Sequence, residues 1–436
     1  MAIKQPNKAI YTIAYVLIYP LLKALFHLKV NRRNCHPPQG PFVVLCNHQS
    51  FMDFLLPTIS LFPYRLNAVA AQKFFFYRPL NWLLPLMGCI PKYLFDSDIR
   101  TIKTIMTVLN AGGKVLLFPE GRCTVAGEYM GMQKATGKLI KKLGVPVISC
   151  RIEGAYVCMP FWRKGFRRGQ VRLTLADLFS AEDLKALSVD EVNQAIDARL
   201  SGQDAASLEP PLAQPRDSQH EPPQKPQKPQ KPQKPPHTFR ARKLTQGLQN
   251  ILYYCPSCGK EFTLETSDNT IRCSSCGNSA TLDRFARLIP HEGSTAPATV
   301  QDWQREQNIY EMQQLSDDME PLAIDVTVRM PSATAGKGVE PKGSGVLSLS
   351  AKGWQFEGTL HGQPASIFFP LEAVPALPFD PNDDFQIYKG GQFYMFTPVQ
   401  NPRACAKYAA IGECAYWRFT PTTQMTPGQN NGLSPM

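Results

Sequence analysis

The chain has 436 residues, a length that suits two to three domains, and its 43% hydrophobic content excludes a mostly disordered protein. No uninterrupted apolar run reaches the roughly 18 residues of a confident membrane span, which excludes a polytopic transporter. Twelve cysteines are too dilute for a disulfide scaffold, and four of them fall in CxxC pairs, a spacing that favours a metal site in a reducing compartment. The net charge of +12 is uneven: residues 1–202 hold 26 of the 47 Lys+Arg but 12 of the 35 Asp+Glu. The N-terminal part is therefore strongly basic, and the remainder is near neutral. Such a field suits an anionic membrane surface, acidic substrates or carriers, or nucleic acid; plain solubility is the bland alternative.

Residues 9–22 read AIYTIAYVLIYPLL, apolar nearly all round. Lys4 and Lys8 precede the stretch, and Lys23, Lys29, Arg32 and Arg33 follow it. It lacks the length to span and a small-residue cleavage site, and charge on both flanks gives no orientation signal. Residues 1–30 thus read as a helix lying in a membrane interface, with a buried core helix as the alternative.

Residues 31–202 alternate strands (42–46, 114–118, 145–151, 170–175) with helices (51–61, 98–110, 129–143, 190–200), the pattern of an α/β domain. The first strand delivers Asn47-His48 to its C-terminal end, where α/β sheets place ligand groups. Asp53 follows five residues later and can fold back onto the imidazole. It would fix the tautomer and raise the basicity of His48, making it a general base for an alcohol. A second reading stands beside this one: Ser50 as a helix N-cap with Asp53 in a capping-box position. The strand at 114–118 ends in Phe118-Pro119-Glu120-Gly121-Arg122. Glu120 can accept from substrate hydroxyls, and Arg122 offers a planar fork for phosphate. A solvated turn with a local ion pair is the alternative there.

Residues 203–240 form a linker in which PQK repeats four times from Pro223 to Lys234, an extended spacer without a core. A helix is expected at 245–252. Cys255, Cys258, Cys273 and Cys276 form two CxxCG knuckles fourteen residues apart. Four thiolates at this spacing close a tetrahedral Zn²⁺ site, structural because no position is left open, so residues 245–290 resemble a zinc ribbon. The other eight cysteines read as packing residues. Residues 300–421 read as strand-rich, with 322–330 alternating cleanly, closed by a helix after Asn401-Pro402. That arrangement resembles a pleckstrin-homology-type barrel. Residues 422–436 read as a flexible tail.

NHQSFMD at 47–53 resembles the NHx4D block of the glycerolipid acyltransferase family, which includes 1-acylglycerol-3-phosphate acyltransferases. FPEGRCT at 118–124 resembles that family's FPEG block. Met87-Gly88-Cys89-Ile90-Pro91-Lys92 stands at its GxI block, and Val145-Pro146-Val147-Ile148 at its VPV block. The resemblance implies acyl transfer from a coenzyme A or acyl-carrier-protein thioester to the hydroxyl of a lysophospholipid. With 1-acylglycerol-3-phosphate as acceptor, the product is phosphatidate, as in phospholipid biosynthesis. His48 would be the base, Asp53 its partner, and Glu120 and Gly121 part of the acceptor site, with no acyl-enzyme. Two departures touch the headgroup. The GxI block usually ends in Arg, whereas Lys92 is the nearest cation here. The FPEG block usually continues Thr-Arg, whereas Arg122 follows Gly121 directly. Arg122 and Lys92 are accordingly the expected phosphate ligands.

The expected setting is the cytoplasmic face of a membrane, peripheral or monotopic, with membrane lipid and an acyl carrier as partners. Another lysolipid or a lipid-linked amine as acceptor, and thioester hydrolysis by the same base, are the enzymatic alternatives. A zinc-ribbon binding protein is the non-enzymatic one. No nucleic-acid partner is expected, because the basic excess lies with the His48 block and not with the cysteine knuckles.

Overall fold

Phe42, Val44 and Cys46 face one side of their strand and Val43 and Leu45 the other, and all five are wholly buried. A strand apolar on both faces requires a helical layer on each. The computed structural model, which describes residues 5–94, 99–133, 135–203 and 239–420, has that arrangement. The expected linker repeats and C-terminal tail lie outside the described residues.

The central sheet contains β1 (Lys29–Asn34), β2 (Phe42–Cys46), β3 (Leu66–Ala71), β4 (Ile90–Lys92), β5 (Lys114–Leu117), β6 (Val147–Glu153) and β8 (Arg172–Phe179). Their spatial order is β1-β8-β6-β2-β5-β3-β4. β6, β2, β5, β3 and β4 run parallel, and β8 is antiparallel to β6. Helices α1 (Lys8–Phe26), α2 (Leu55–Ser60) and α3 (Leu80–Leu86) pack on the Phe42/Val44 face. Helices α4 (Ile99–Asn110), α5 (Ala135–Leu143), α7 (Ala181–Ala186) and α8 (Val189–Ser201) cover the Val43/Leu45 face. The short α6 (Ala155–Cys158) follows β6. The helix expected from 51 starts only at Leu55, because Asp53 closes a turn ahead of it. The one expected from 129 starts at Ala135, because a loop occupies 118–133.

α1 is longer than the apolar run suggested: 19 residues with Lys8 and Lys23 as its charges, long and apolar enough to cross a membrane by length and composition. One face docks on the domain. Tyr11, Leu22 and Phe26 are buried, and the Tyr11 hydroxyl donates to the Thr58 carbonyl and accepts from the Leu66 N–H. The opposite stripe, Ile13, Val16, Leu17 and Leu21, is exposed.

Beyond residue 238 the chain returns to the N-terminal unit: β9 (Phe239–Arg240) pairs antiparallel with β7 (Arg168–Gly169). The helix expected at 245–252 is instead a series of turns with one 3-10 segment, Leu248–Asn250. Gly247 adopts φ +91°, and the Trp162 carbonyl oxygen lies 2.4 Å from where a Cβ would stand, a close approach only glycine permits. β10 (Leu264–Ser267), β11 (Thr270–Cys273), β12 (Ser279–Leu282) and β13 (Leu288–Pro290) form a small antiparallel sheet. Helix α9 (Val300–Gln314), capped by the Thr299 hydroxyl, opens the stretch read as strand-rich, ahead of the first expected strand at 322.

Seven antiparallel strands follow: β14 (Leu322–Pro331), β15 (Val339–Ser350), β16 (Gly353–Leu360), β17 (Gln363–Pro370), β18 (Phe379–Asp380), β19 (Asp384–Lys389) and β20 (Gln392–Pro398). Their order is β17-β16-β15-β14-β20-β19-β18, and α10 (Ala404–Phe419) closes the core through Cys405, Ala409 and Cys414.

The two halves share a core. Val125, Ala126, Tyr156 and Trp162 of the N-terminal unit pack with Phe239, Leu244, Leu248 and Leu252 and with Trp303 of α9. Arg167 is buried in this seam, over the rings of Trp162 and Phe239, and donates to the carbonyls of Val157 and Leu244. Its charge is kept by the two ring faces and the carbonyls that replace water. A second seam joins Lys73 to Asp380 at 2.7 Å and Tyr93 to Tyr388.

Candidate active site

β2 and β5 are parallel neighbours in register, with Leu45 opposite Leu117. Their C-terminal ends therefore bring His48 and Glu120 together across 72 residues of sequence. Glu120 accepts from the His48 backbone N–H at 2.6 Å and from the Met130 N–H at 2.9 Å. The Thr124 N–H donates to the His48 carbonyl at 2.9 Å. Gly121 takes φ +79° to make the turn that permits this. Burial pushes Glu120 up to about 7, against the two N–H donors.

His48 Nδ1 lies 3.0 Å from Asp53 Oδ2. Asp53 is fully buried and also accepts from the Gln49 N–H, the Ser50 N–H and the Ser50 hydroxyl. These donors mark an ionised carboxylate, so Nδ1 carries the proton and the lone pair is on Nε2. Both readings of Asp53 hold at once: it completes a capping-box-like turn with Ser50 and orients the imidazole. Burial opposes protonation of His48, but the neighbouring Cys123 and the Asp53 hydrogen bond outweigh it and hold its pKa well above the ordinary value.

Three neighbours of His48 were not legible beforehand. Cys123 was expected to be a packing residue, yet its Sγ lies 3.4 Å from Nδ1 and 3.3 Å from Nε2. Near-equal distances place the sulfur over the ring and not in line with either lone pair. Phe118 also stacks on the imidazole, 4.4 Å between centroids. Asn47 donates to the Ile152 carbonyl and accepts from its N–H, tying the end of β2 to β6.

A cavity of about 630 Å³ opens beside Asn47, His48, Gln49 and Glu120, and is also lined by Arg151 and by Gln194 and Asp197 of α8. Among the described residues lining it, Arg151 is the cation, ion-paired with Glu153 at 3.2 Å. Lys92, on β4, and Arg122 are not among those lining residues. The Arg122 guanidinium, largely buried, is ion-paired with Glu413 of α10.

A family model described as Acyltransferase matches residues 27–153, the span holding all of β2, β5, His48, Asp53 and Glu120. Residues 27–153 are an acyltransferase-family domain. Relatives include a chloroplastic 1-acyl-sn-glycerol-3-phosphate acyltransferase of Brassica napus, 27% identical over 165 residues, 37% of this chain and 46% of that protein. The 1-acyl-sn-glycerol-3-phosphate acyltransferase alpha of Homo sapiens is 26% identical over 132 residues, 29% of this chain and 46% of that protein. The chain thus spans about half the length of the curated relatives it matches. The crystal structure of the 1-acyl-sn-glycerophosphate acyltransferase of Thermotoga maritima aligns with a TM-score of 0.38 at 22% identity, covering 46% of this chain and 80% of that one.

Outside the acyltransferase domain, Cys255, Cys258, Cys273 and Cys276 converge, with all four sulfurs within 4.8 Å of one another. Cys255 and Cys276 are 3.7 Å apart, and Cys258 and Cys273 are 3.8 Å apart. A tetrahedron with metal–sulfur bonds of about 2.3 Å has edges of roughly 3.8 Å, so the thiol set fits zinc.

Proposed function

We propose that this chain is an O-acyltransferase that moves an acyl chain from a coenzyme A or acyl-carrier-protein thioester to the hydroxyl of a lysophospholipid. 1-Acylglycerol-3-phosphate is the favoured acceptor and phosphatidate the product. The observation that carries the reading is the His48–Asp53 pair beside Glu120, at the ends of adjacent parallel strands in a domain of the acyltransferase family. The acceptor hydroxyl gives its proton to His48 Nε2 as its oxygen attacks the thioester carbonyl. The C–O bond forms, the C–S bond breaks, and the departing thiolate takes the proton from His48. Asp53 stabilises the imidazolium between the two transfers.

Glu120 and Gly121 belong to the acceptor side in this reading, and the candidate cations for its phosphate are Lys92, Arg122 and Arg151. Arg122 is held by Glu413, whereas Arg151 lines the cavity itself. Arg151 is therefore our choice for the acceptor phosphate, in place of the expected Arg122 and Lys92.

The exposed apolar stripe of α1 supports docking on a membrane surface, with its other face kept on the domain. Trp82 and Leu86 of α3 are also exposed, and the Asn7 N–H donates to the Leu86 carbonyl, joining the start of α1 to the end of α3. Residues 245–290 are read as a structural zinc ribbon, the metal held by the four thiolates and supplying folding energy. Residues 300–420 are read as a pleckstrin-homology-like unit, a reading supported by the four-plus-three strand order and the closing α10.

The test is transfer from a labelled acyl thioester to a panel of lysolipids and to water, with His48→Ala as control. Transfer to 1-acylglycerol-3-phosphate that disappears in His48→Ala supports the assignment. Release of free acid alone, or full turnover in folded His48→Ala protein, overturns it.

A further inference from the structure

We propose that the C-terminal half of the chain is a working part of the active site, with Glu413 of α10 and Arg305 of α9 as positioning residues for His48. The proposal deepens the acyl-transfer reading and rests on it. Residues 118–133 form a long loop without regular structure between β5 and α5. One side of this loop is the cradle of His48: Glu120 holds its N–H, the Thr124 N–H holds its carbonyl, and Cys123 lies over its ring. The other side is gripped by the accessory half at three points. Arg122 is ion-paired with Glu413. Glu128, which also lines the cavity, is ion-paired with Arg305, itself steadied by Asp302 at 3.0 Å. Between the two pairs, Val125 and Ala126 are buried in the core that contains Trp303 of α9.

The charges alternate in sense. The loop offers a cation to α10 and an anion to α9, so a displacement of the loop breaks both pairs. α9 and α10 are tied to each other, the Cys414 thiol lying 3.7 Å from the Asn308 carbonyl, and act as one support. A loop of this length needs such anchors, because ordering it costs conformational entropy that its own backbone bonds do not offset. Displacing a catalytic group by about an ångström costs up to a hundredfold in rate, so anchors on the cradle act on turnover.

The experiment uses the full chain with Arg305→Gln, Glu413→Gln, the double variant and Arg305→Lys. Turnover with acyl-CoA and 1-acylglycerol-3-phosphate, thermal stability, and amide exchange of residues 118–133 are measured. The expected result is a fall in kcat on the order of tenfold in each Gln variant and more in the double. The acceptor KM should change little, exchange should rise in the loop but not in β2 or β5, and Arg305→Lys should recover most of the rate. Unchanged kcat and unchanged loop exchange in the double variant overturn the proposal. So does a faster Glu413→Gln enzyme, which would make Glu413 a competitor for Arg122, or a rate loss that only tracks the folded fraction. If the wild-type chain transfers no acyl group, the acyl-transfer reading falls. The exchange measurement still reports then whether Arg305 and Glu413 hold the loop, and unchanged exchange still overturns the proposal.

Discussion

His48 Nδ1 donates to Asp53 across 3.0 Å, and the receiving carboxylate is fully buried with three further donors on it. The imidazole is therefore held in one tautomer, with Nε2 as its base. Its pKa is held well above the ordinary 6.5.

A base must be unprotonated to act, so activity should rise with pH through the folded pKa of His48. The acidic limb of kcat/KM is expected above pH 6.5. Asp53→Asn removes the carboxylate that stabilises the imidazolium, so the limb should move to lower pH. The maximal rate should drop by about 10²–10⁴. Rate profiles from about pH 5 to about pH 9 check this. A limb that stays in place in the folded variant removes Asp53 from the mechanism.

Arg151 and Arg122 are expected to separate by acceptor. Arg151→Ala should raise KM for 1-acylglycerol-3-phosphate roughly ten- to a hundredfold, the worth of a charge-assisted hydrogen bond, and spare 1-acylglycerol. Arg122→Ala should impair both acceptors alike, because it breaks the pair with Glu413. Steady-state kinetics with the two acceptors decide. A phosphate-selective loss in Arg122→Ala would return the phosphate to that residue.

One Zn²⁺ per chain is expected on Cys255, Cys258, Cys273 and Cys276, and Cys255→Ser should lose it. The cysteine module shares a core with Val125, Ala126 and Trp162, so its loss should not leave the acyltransferase domain untouched. Chelation should lower the melting temperature of the whole chain in one transition. Elemental analysis and calorimetry test this. An acyltransferase domain that melts unchanged after metal loss would show the core to be dispensable.

Replacing Ile13, Val16, Leu17 and Leu21 of α1 with Asn should release the protein from lipid vesicles while leaving Tyr11, Leu22 and Phe26 docked. Burying four such side chains is worth several kcal/mol, so partitioning should weaken on the order of a hundredfold or more. Vesicle co-sedimentation reads the loss, and circular dichroism reads the fold. Undiminished sedimentation would contradict interfacial docking through this stripe.

What the sequence determined by itself are the features whose signal is local. β2 was legible because five consecutive apolar residues need cover on both faces, and the β14 strand because its burial alternates with period two. The convergence of Cys255, Cys258, Cys273 and Cys276 followed from two knuckles of fixed spacing, and the meeting of His48 with Asp53 from a five-residue turn. The helix expected at 245–252 failed on a contact no neighbouring residue announces, the Trp162 carbonyl against Gly247. Only the tertiary structure decided that Arg122 meets Glu413, 291 residues away, that Arg151 faces the cavity, and that Cys123 covers the imidazole. An ion pair or a ring contact depends on which elements the topology sets side by side, and the residues flanking a charge carry no record of its distant partner. The same limit applied to α9, whose sparse apolar residues gave little period to read, and whose place against the loop at 118–133 is set by the core around Trp303.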